Sequence, residues 1–376
     1  MAGQLIQRGD RTWLIRVFVG RGTDGRRKYY NKTVRGTKKD AQRVLNEKLL
    51  ERDRGQLVLP SRATVEEYVL DWIDNRKPGI QDRTRESYRW ILVHNVVPAI
   101  GSCRLDRLAP FEIQELYKTM SAKGLSPRTV RYTHSILRSA LAQAVRWRML
   151  ARNPADLVEL PGREPKEMRA LTPAEASAFL EAIRGDRWEA LWELLLVTGL
   201  RPGEALGLKW SDIDWAHQRL RVQRTLVRTD DNEWRLAEPK TPKSRRSVVM
   251  PRSTMDVLRR HSVDQAKHQL EVSSDYSDLG LIFSNQTGEP LEYRVVVRRH
   301  FKPIVRAAGL EPLRPYDLRH TCATLLLASG EHPKVVAERL GHASTVMTMD
   351  VYSHVLPSMQ EAAAEKLEKM LFGGSE

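Results

Sequence analysis

Tyr316, Arg319 and His320 stand at i, i+3 and i+4 within Pro315-Tyr316-Asp317-Leu318-Arg319-His320. Leu340-Gly341-His342 and Val351-Tyr352-Ser353-His354 follow in the same C-terminal stretch. Upstream, Thr198-Gly199-Leu200-Arg201-Pro202-Gly203-Glu204 supplies a second arginine and an acid. Phosphoryl transfer asks a protein mainly to position groups and to neutralise charge on the equatorial oxygens. Arginine suits that task, because it is always charged and presents a planar fork to phosphate. Two arginines, a histidine and a tyrosine therefore suggest a tyrosine attacking a phosphodiester. Taken singly, each arginine reads rather as a surface ion-pair partner, and Tyr352 as a half-buried aromatic on a C-terminal helix.

Charge supports a polyanionic partner. The 376 residues carry a formal net charge of +15, with Lys and Arg spread along the chain. Nucleic acid is the commonest partner of such a balance, and a solvated basic surface is the alternative. A hydrophobic share of 41% suffices for packed cores. No stretch approaches the ~20 apolar residues that span a bilayer, and Met1-Ala2-Gly3-Gln4 lacks a signal-peptide pattern. Cys103 and Cys322 are too few for a disulfide framework or a zinc site. A cytoplasmic protein without membrane contact is expected.

The elements that must position these residues fall into three segments. Residues 1–56 read as a β-rich module: strands from Thr12 and from Arg26, then a helix opened by Thr37 as N-cap. The turn between the strands spells GxGxxG, but a second strand follows it, which argues against a dinucleotide site. Residues 64–157 read as all-helical, with helices over Val65–Arg76, Arg83–Val97 (stopped by Pro98 and Gly101), Pro110–Ala122 and Pro127–Leu150. Arg128 and Arg131 lie on a basic face of the last helix, suited to a DNA backbone or to plain solvation. Residues 168–376 read as mostly helical, with strands and two turns between Arg219 and Pro251. Asp212 and Asp214 read as helix caps, and His261 and His268 as solvent-facing. No metal site or cofactor is expected.

Four ordered blocks turn these readings into one. TGLRPGEALGLKWSDID, PKTPKSRRSVVM, PYDLRHTCATLLLASG and LGHASTVMTMDVYSH together resemble the signature of the tyrosine recombinases, the phage-type integrases. The resemblance implies a mainly α fold with small β-sheets: an N-terminal arm-binding module, a helical core-binding domain and a mixed α/β catalytic domain. It implies that Arg201 and Arg319 clamp the scissile phosphate and that His342 hydrogen-bonds it. Lys240 would protonate the leaving 5′-oxygen, with Lys243 as its rival in the same turn. Glu204 would support the first arginine. Tyr352 would be the nucleophile, forming a 3′-phosphotyrosyl bond.

The resemblance also implies partners. Double-stranded DNA would be held at core sites, and at arm sites by the module around Trp13, Arg16, Arg26 and Lys28. A homotetramer would assemble on DNA, with the tail helix from Met359 to Phe372 docking on a neighbour. A host bending protein or an excision factor could assist. The element served would be a phage or another mobile element. The alternative is a DNA-binding regulator that has lost catalysis; a type IB topoisomerase would share the chemistry without site preference. One position departs from the family pattern: Tyr316 stands where a histidine is usual. A phenol, with an ordinary pKa near ~10, is a poor base at neutral pH, yet it can donate a hydrogen bond to phosphate.

Overall fold

The computed structural model describes residues 3–21, 25–54, 57, 62–76, 79–80, 82–162, 169–229, 233–238, 244–272, 275–342, 344–345, 364, 367–368 and 370–372. Contacts divide the chain into two compact units, Met1–Pro165 and Lys166–Glu376. The fold is mainly α with small antiparallel sheets.

The first unit begins with a three-stranded antiparallel meander, β1 (Gly3–Gly9), β2 (Thr12–Arg21) and β3 (Arg27–Arg35). Alternation along β2 sends Ile15 and Val17 into a core with Tyr30, Leu45 and Leu57. The helix α1 (Lys38–Asp53) closes that face, and Thr37 caps it through a reciprocal bond pair with Asp40. On the opposite parity, Arg16 lies across from Asn31, and Phe18 across from Tyr29. The GxGxxG segment is thus flanked by two strands, β2 and β3, that pair antiparallel.

The helical part of this unit comprises α2 (Val65–Asp71), α3 (Asp82–Ile91), α4 (Val97–Ile100), α5 (Pro110–Ala122) and α6 (Pro127–Arg146). Val130, Ile136, Leu137, Ala140, Leu141 and Ala144 form the buried stripe of α6. The Tyr68 hydroxyl donates to the Ala140 carbonyl at 2.8 Å, which ties α2 to α6. Two boundaries differ from expectation. Pro98 does not stop its helix: it sits at the start of α4, after a widened turn over Leu92–Val96, where a missing amide is tolerated. The chain then turns at Gly101. Likewise α6 ends at Arg146 and not at Leu150, because Arg148 takes a φ of 59° that helix cannot continue.

The second unit carries α7 (Pro173–Ala182), α8 (Glu189–Thr198) and α9 (Pro202–Leu206). Strands β4 (Ile213–Asp214), β5 (Arg219–Val222), β6 (Thr225–Arg228), β7 (Trp234–Ala237) and β8 (Arg246–Val249) follow. They form two sheets, ordered β4-β5-β8 and β6-β7. Helices α10 (Arg252–Val272), α11 (Tyr293–Val296), α12 (Lys302–Ala307), α13 (Pro315–Ala328) and α14 (Pro333–Leu340) complete it. α8 is apolar nearly all round, so it is the central helix of the core, with Trp192 packed on Phe301 and Phe301 on Phe179. Each fully buried Phe contributes about 1.5–3 kcal/mol. That core fixes the C-terminal end of α8, and α14 packs through Val336 and Leu340 on Ala323 and Leu327 of α13; the site is built from these two helix ends. Among the described residues no helix is long and apolar enough to cross a membrane.

Candidate active site

The apolar run of α8 ends at Gly199, whose φ of +65° turns the chain out of the helix. The turn delivers Arg201, which stands in extended conformation at the N-cap of α9. Glu204 then reaches back in two ways. It accepts from the Arg201 amide at 3.0 Å and from Arg201 Nη1 at 2.8 Å. The Arg201 side chain is 36% exposed, so its fork is oriented by Glu204 while still open to a ligand.

Glu204 itself is buried and meets a second guanidinium. Arg246 Nη2 donates to Glu204 Oε2 at 2.9 Å, and Nη1 to Oε1 at 3.3 Å. Arg246 also donates from Nε to the Arg339 carbonyl at 2.6 Å. Burial pushes the Glu204 carboxyl up, but the bonds and charge of Arg246 and Arg201 outweigh it and hold its pKa below the ordinary value. The carboxylate is therefore ionised wherever the protein is folded at neutral pH.

Arg319, on the first turns of α13, is 2% exposed. Its Nη1 donates to the Gly199 carbonyl at 2.6 Å, and its Nη2 to the Leu340 carbonyl at 2.7 Å. These are carbonyls at the C-terminal ends of α8 and α14, where unpaired acceptors and the helix dipole both favour a cation. Burial, reinforced by Arg201, lowers Arg319 to about 10, so it stays charged at neutral pH.

His342 follows Gly341, the left-handed cap of α14 with φ +68°. The His342 amide closes that turn by donating to the Ala337 carbonyl at 2.9 Å. Burial first, then the charges of Arg319, Arg201 and Arg246, lower the imidazole to about 4. The ring is therefore neutral at pH 7. Tyr316 is 45% exposed at the start of α13, and its ring meets the His320 ring edge-on at 5.2 Å. His320 is buried, and burial lowers its pKa.

Arg201, Glu204, Arg319 and His342 thus belong to one electrostatic cluster, with Tyr316 at its edge. Three guanidinium groups face one carboxylate there, which leaves a centre suited to an anion. Lys240, Lys243 and Tyr352 lie outside the described residues. Two side chains escaped sequence reasoning: Arg246, and Arg339, whose Nη2 donates to the Val197 carbonyl at 3.0 Å. A signal for Arg246 existed. It alternates with the buried Val248 along β8, so period-two reading puts it on the inward face. One other reading needs correction. His261 is not solvent-facing: its Nε2 lies 2.9 Å from the Ile282 carbonyl, in contact with Phe283, and burial lowers its pKa. The cap reading of Asp212 holds: from the third position of the short turn Trp210–Asp212 it accepts from the Lys209 amide at 2.8 Å, and it also accepts from Arg224 at 2.5 Å.

Comparison with known proteins gives the chain a family. Residues 169–359 match the phage integrase family, and residues 64–121 match the phage integrase N-terminal SAM-like domain. The chain belongs to the phage integrase family. This integrase is a tyrosine recombinase, an enzyme of site-specific DNA recombination. It is 28% identical to a XerC-like tyrosine recombinase of Caldanaerobacter subterraneus, over 97% of this chain and 98% of that protein. It is 29% identical to an integrase of Streptomyces ambofaciens, over 87% and 86% of the two chains. Its fold is similar to the Tn1549 transposon integrase solved with circular intermediate DNA, with a TM-score of 0.68, 25% identity, and coverage of 81% of this chain and 99% of that one.

The integrase's remaining candidate residues lie in the first unit. Arg16 is half-buried on the open face of the sheet, its guanidinium 3.8 Å from the centre of the Tyr29 ring. Phe18 packs edge-on against Tyr29 at 5.6 Å. Arg26 and Lys28 are exposed. Trp13 shares the parity of Ile15 and Val17, half-buried on the α1 side, and its buried indole N–H finds no acceptor among the described residues. On α6, Arg128 is exposed, while Arg131 donates from Nε to the Pro161 carbonyl at 2.8 Å.

Proposed function

We propose that the integrase joins and separates the DNA of a phage or other mobile element by two sequential transesterifications. Tyr352 attacks the scissile phosphate, a 3′-phosphotyrosyl bond forms, and the 5′-oxygen leaves with a proton from Lys240. A different 5′-hydroxyl then attacks the phosphotyrosine and restores a phosphodiester. Bond made and bond broken are alike at each step, so the exchange needs no nucleotide cofactor.

Arg201 contacts the equatorial oxygens with its open fork, and Glu204 orients it. Arg319 adds charge from below and the N–H groups not given to Gly199 and Leu340. His342, neutral at pH 7, donates one N–H, and the Tyr316 hydroxyl donates another as a phosphate ligand. The observation that best supports this reading is the Arg319 guanidinium, which joins the two turns that lead into Arg201 and His342.

Residues 64–157 act as the core-binding domain, residues 168–376 as the catalytic domain, and residues 1–56 as the arm-binding module. The open face of the meander, with Arg16 braced on Tyr29 and with Arg26 and Lys28 near it, enters a DNA groove; Trp13 supports the sheet from behind. Arg128 meets the backbone at core sites, and Arg131 acts through the linker carbonyl it holds. Four protomers assemble on two DNA sites in the cytoplasm, with a host bending protein or an excision factor setting direction. In the tail, Leu367 and Leu371 are exposed and suit a neighbouring protomer. The experiment is covalent trapping on a nicked duplex that carries the element's attachment junction. Wild-type protein is expected to give a protease-sensitive DNA adduct and Tyr352→Phe none. An adduct with Tyr352→Phe would overturn the assignment.

A further inference from the structure

We infer that Arg246 is a positioning residue of the recombination reaction: it locks the Arg201 turn, the His342 turn and the strand that follows the lysine segment into one register. The inference rests on the assignment of Arg201 and His342 to the scissile phosphate.

The geometry is that of a clamp and not of a surface ion pair. The Arg246 side chain is 6% exposed and Glu204 is 4% exposed, so solvent does not screen them. One guanidinium makes four bonds in three directions. Two go to Glu204, which holds both the amide and the fork of Arg201. One goes to the Arg339 carbonyl, in the last turn of α14 before Gly341 and His342. The fourth goes back to the Ser244 carbonyl at 3.1 Å, at the entry to β8. Lys240 and Lys243 directly precede that entry in sequence.

A second observation comes from Gly341. A Cβ built on it would lie 2.8 Å from Arg246 Nη1 and 3.1 Å from Cζ. The guanidinium therefore lies against the very residue that turns the chain toward His342. Among the described residues no other side chain bonds to both turns and the strand. A lysine there would keep the charge but lose the fork, and could not serve Glu204, Arg339 and Ser244 together.

Three variants of the full chain, Arg246→Gln, Arg246→Lys and Gly341→Ala, test this beside wild type on a nicked duplex carrying the attachment junction. The measurements are DNA binding, the single-turnover rate of adduct formation at saturating DNA, the thermal melt and the NMR titration of His342. Displacement of reacting groups by about an ångström lowers rates on the order of 100-fold. A fall of that size is expected for Arg246→Gln and Arg246→Lys with DNA binding unchanged, and Gly341→Ala is expected to fall in the same direction. The groups that face His342 are Arg319 and His320 from α13, Arg201 at the start of α9 and Arg246 from β8. The His342 titration should rise in Arg246→Gln and stay near wild type in Arg246→Lys, a split that loss of stability alone cannot produce. Wild-type rates in Arg246→Lys would reduce the role to charge and overturn the inference. So would a rate loss in every variant that tracks the unfolded fraction and vanishes on cooling. If wild type itself forms no adduct, the reading of the site fails and this inference falls with it; if wild type reacts and Arg246→Gln reacts equally fast, only this inference falls.

Discussion

Arg319 Nη1 donates to the Gly199 carbonyl across 2.6 Å, although 120 residues separate the two in sequence. An arginine proposed for the reacting centre is thereby also a cross-brace of the fold, since its other η nitrogen holds the Leu340 carbonyl. Arg201 carries no such load. It is more than a third exposed, and among the described residues its side chain bonds locally, to Glu204.

Lysine substitution should separate these loads. Arg319→Lys leaves one buried carbonyl without a donor, which costs about 1–3 kcal/mol. Arg201→Lys weakens a partly exposed pair worth no more than about 1 kcal/mol. Both should lower adduct formation by about 100-fold or more, the scale of losing one transition-state donor. Calorimetric melting beside single-turnover trapping checks the contrast. Equal destabilisation by the two would show that Arg319 is no brace.

Gly199→Ala should destabilise the second unit by about 1–2 kcal/mol from the left-handed backbone alone. A Cβ there would also meet Leu340 Cδ2 at 2.5 Å and Cys322 Sγ at 3.3 Å, so Leu340 must shift. Because Leu340 also supplies an acceptor to Arg319, cleavage should fall along with the melting temperature. Thermal melting and adduct yield, read together, test this; a variant with wild-type values for both would contradict it.

The reach of the sequence is clearest in this cluster. Arg201, Arg319 and His342 were legible because their types, order and surrounding blocks name a chemistry. The helix end before Arg201 was legible from the apolar run and the Thr-Gly-Leu turn, and the face shared by Tyr316, Arg319 and His320 from their spacing. Arg246 was not, because a basic residue in a basic chain looks like solvated surface until its alternation with Val248 is noticed. The run from Arg219 to Pro251 showed strands but not two sheets, since period-two patterning gives faces and not partners. Pro98 and Arg148 misplaced two helix ends, because the widened turn and the positive φ that decide them depend on packing around the bundle.

Tyr316 offers a direct test of ligand against base. Its ring edge rests on His320, and 45% of the residue remains exposed toward a ligand. Tyr316→Phe keeps that contact and removes only the hydroxyl. The loss of one hydrogen bond to a charged group, about 1.5 kcal/mol, should slow cleavage roughly tenfold. Tyr316→His restores an N–H donor and should be tolerated. Suicide-substrate cleavage by both variants decides it: a wild-type rate for Tyr316→Phe would remove Tyr316 from the mechanism.

Acid should loosen the second unit before it protonates most carboxylates. His342, His320 and His261 all have lowered pKa values, in each case mainly because burial disfavours the imidazolium. Unfolding returns each to about 6.5. Between its folded value and 6.5, the unfolded chain binds more protons than the native one, so stability falls as pH drops through that window. For His342 the window runs from 6.5 down to about 4. Glu204, whose pKa is also lowered, adds the same sign of effect below its ordinary carboxylate range. The melting temperature should therefore be flat above pH 7 and decline steadily below 6.5. His342→Asn removes one titrating group and should make the decline shallower. Bound DNA supplies phosphate to the same cluster, which favours the protonated ring, so the decline should also be shallower in the DNA complex. Melting curves of the free protein and of its DNA complex, each taken from pH 7.5 to 4.5, measure all three slopes; a free-protein curve that stays flat to pH 5 would mean that these imidazoles titrate normally in the folded protein.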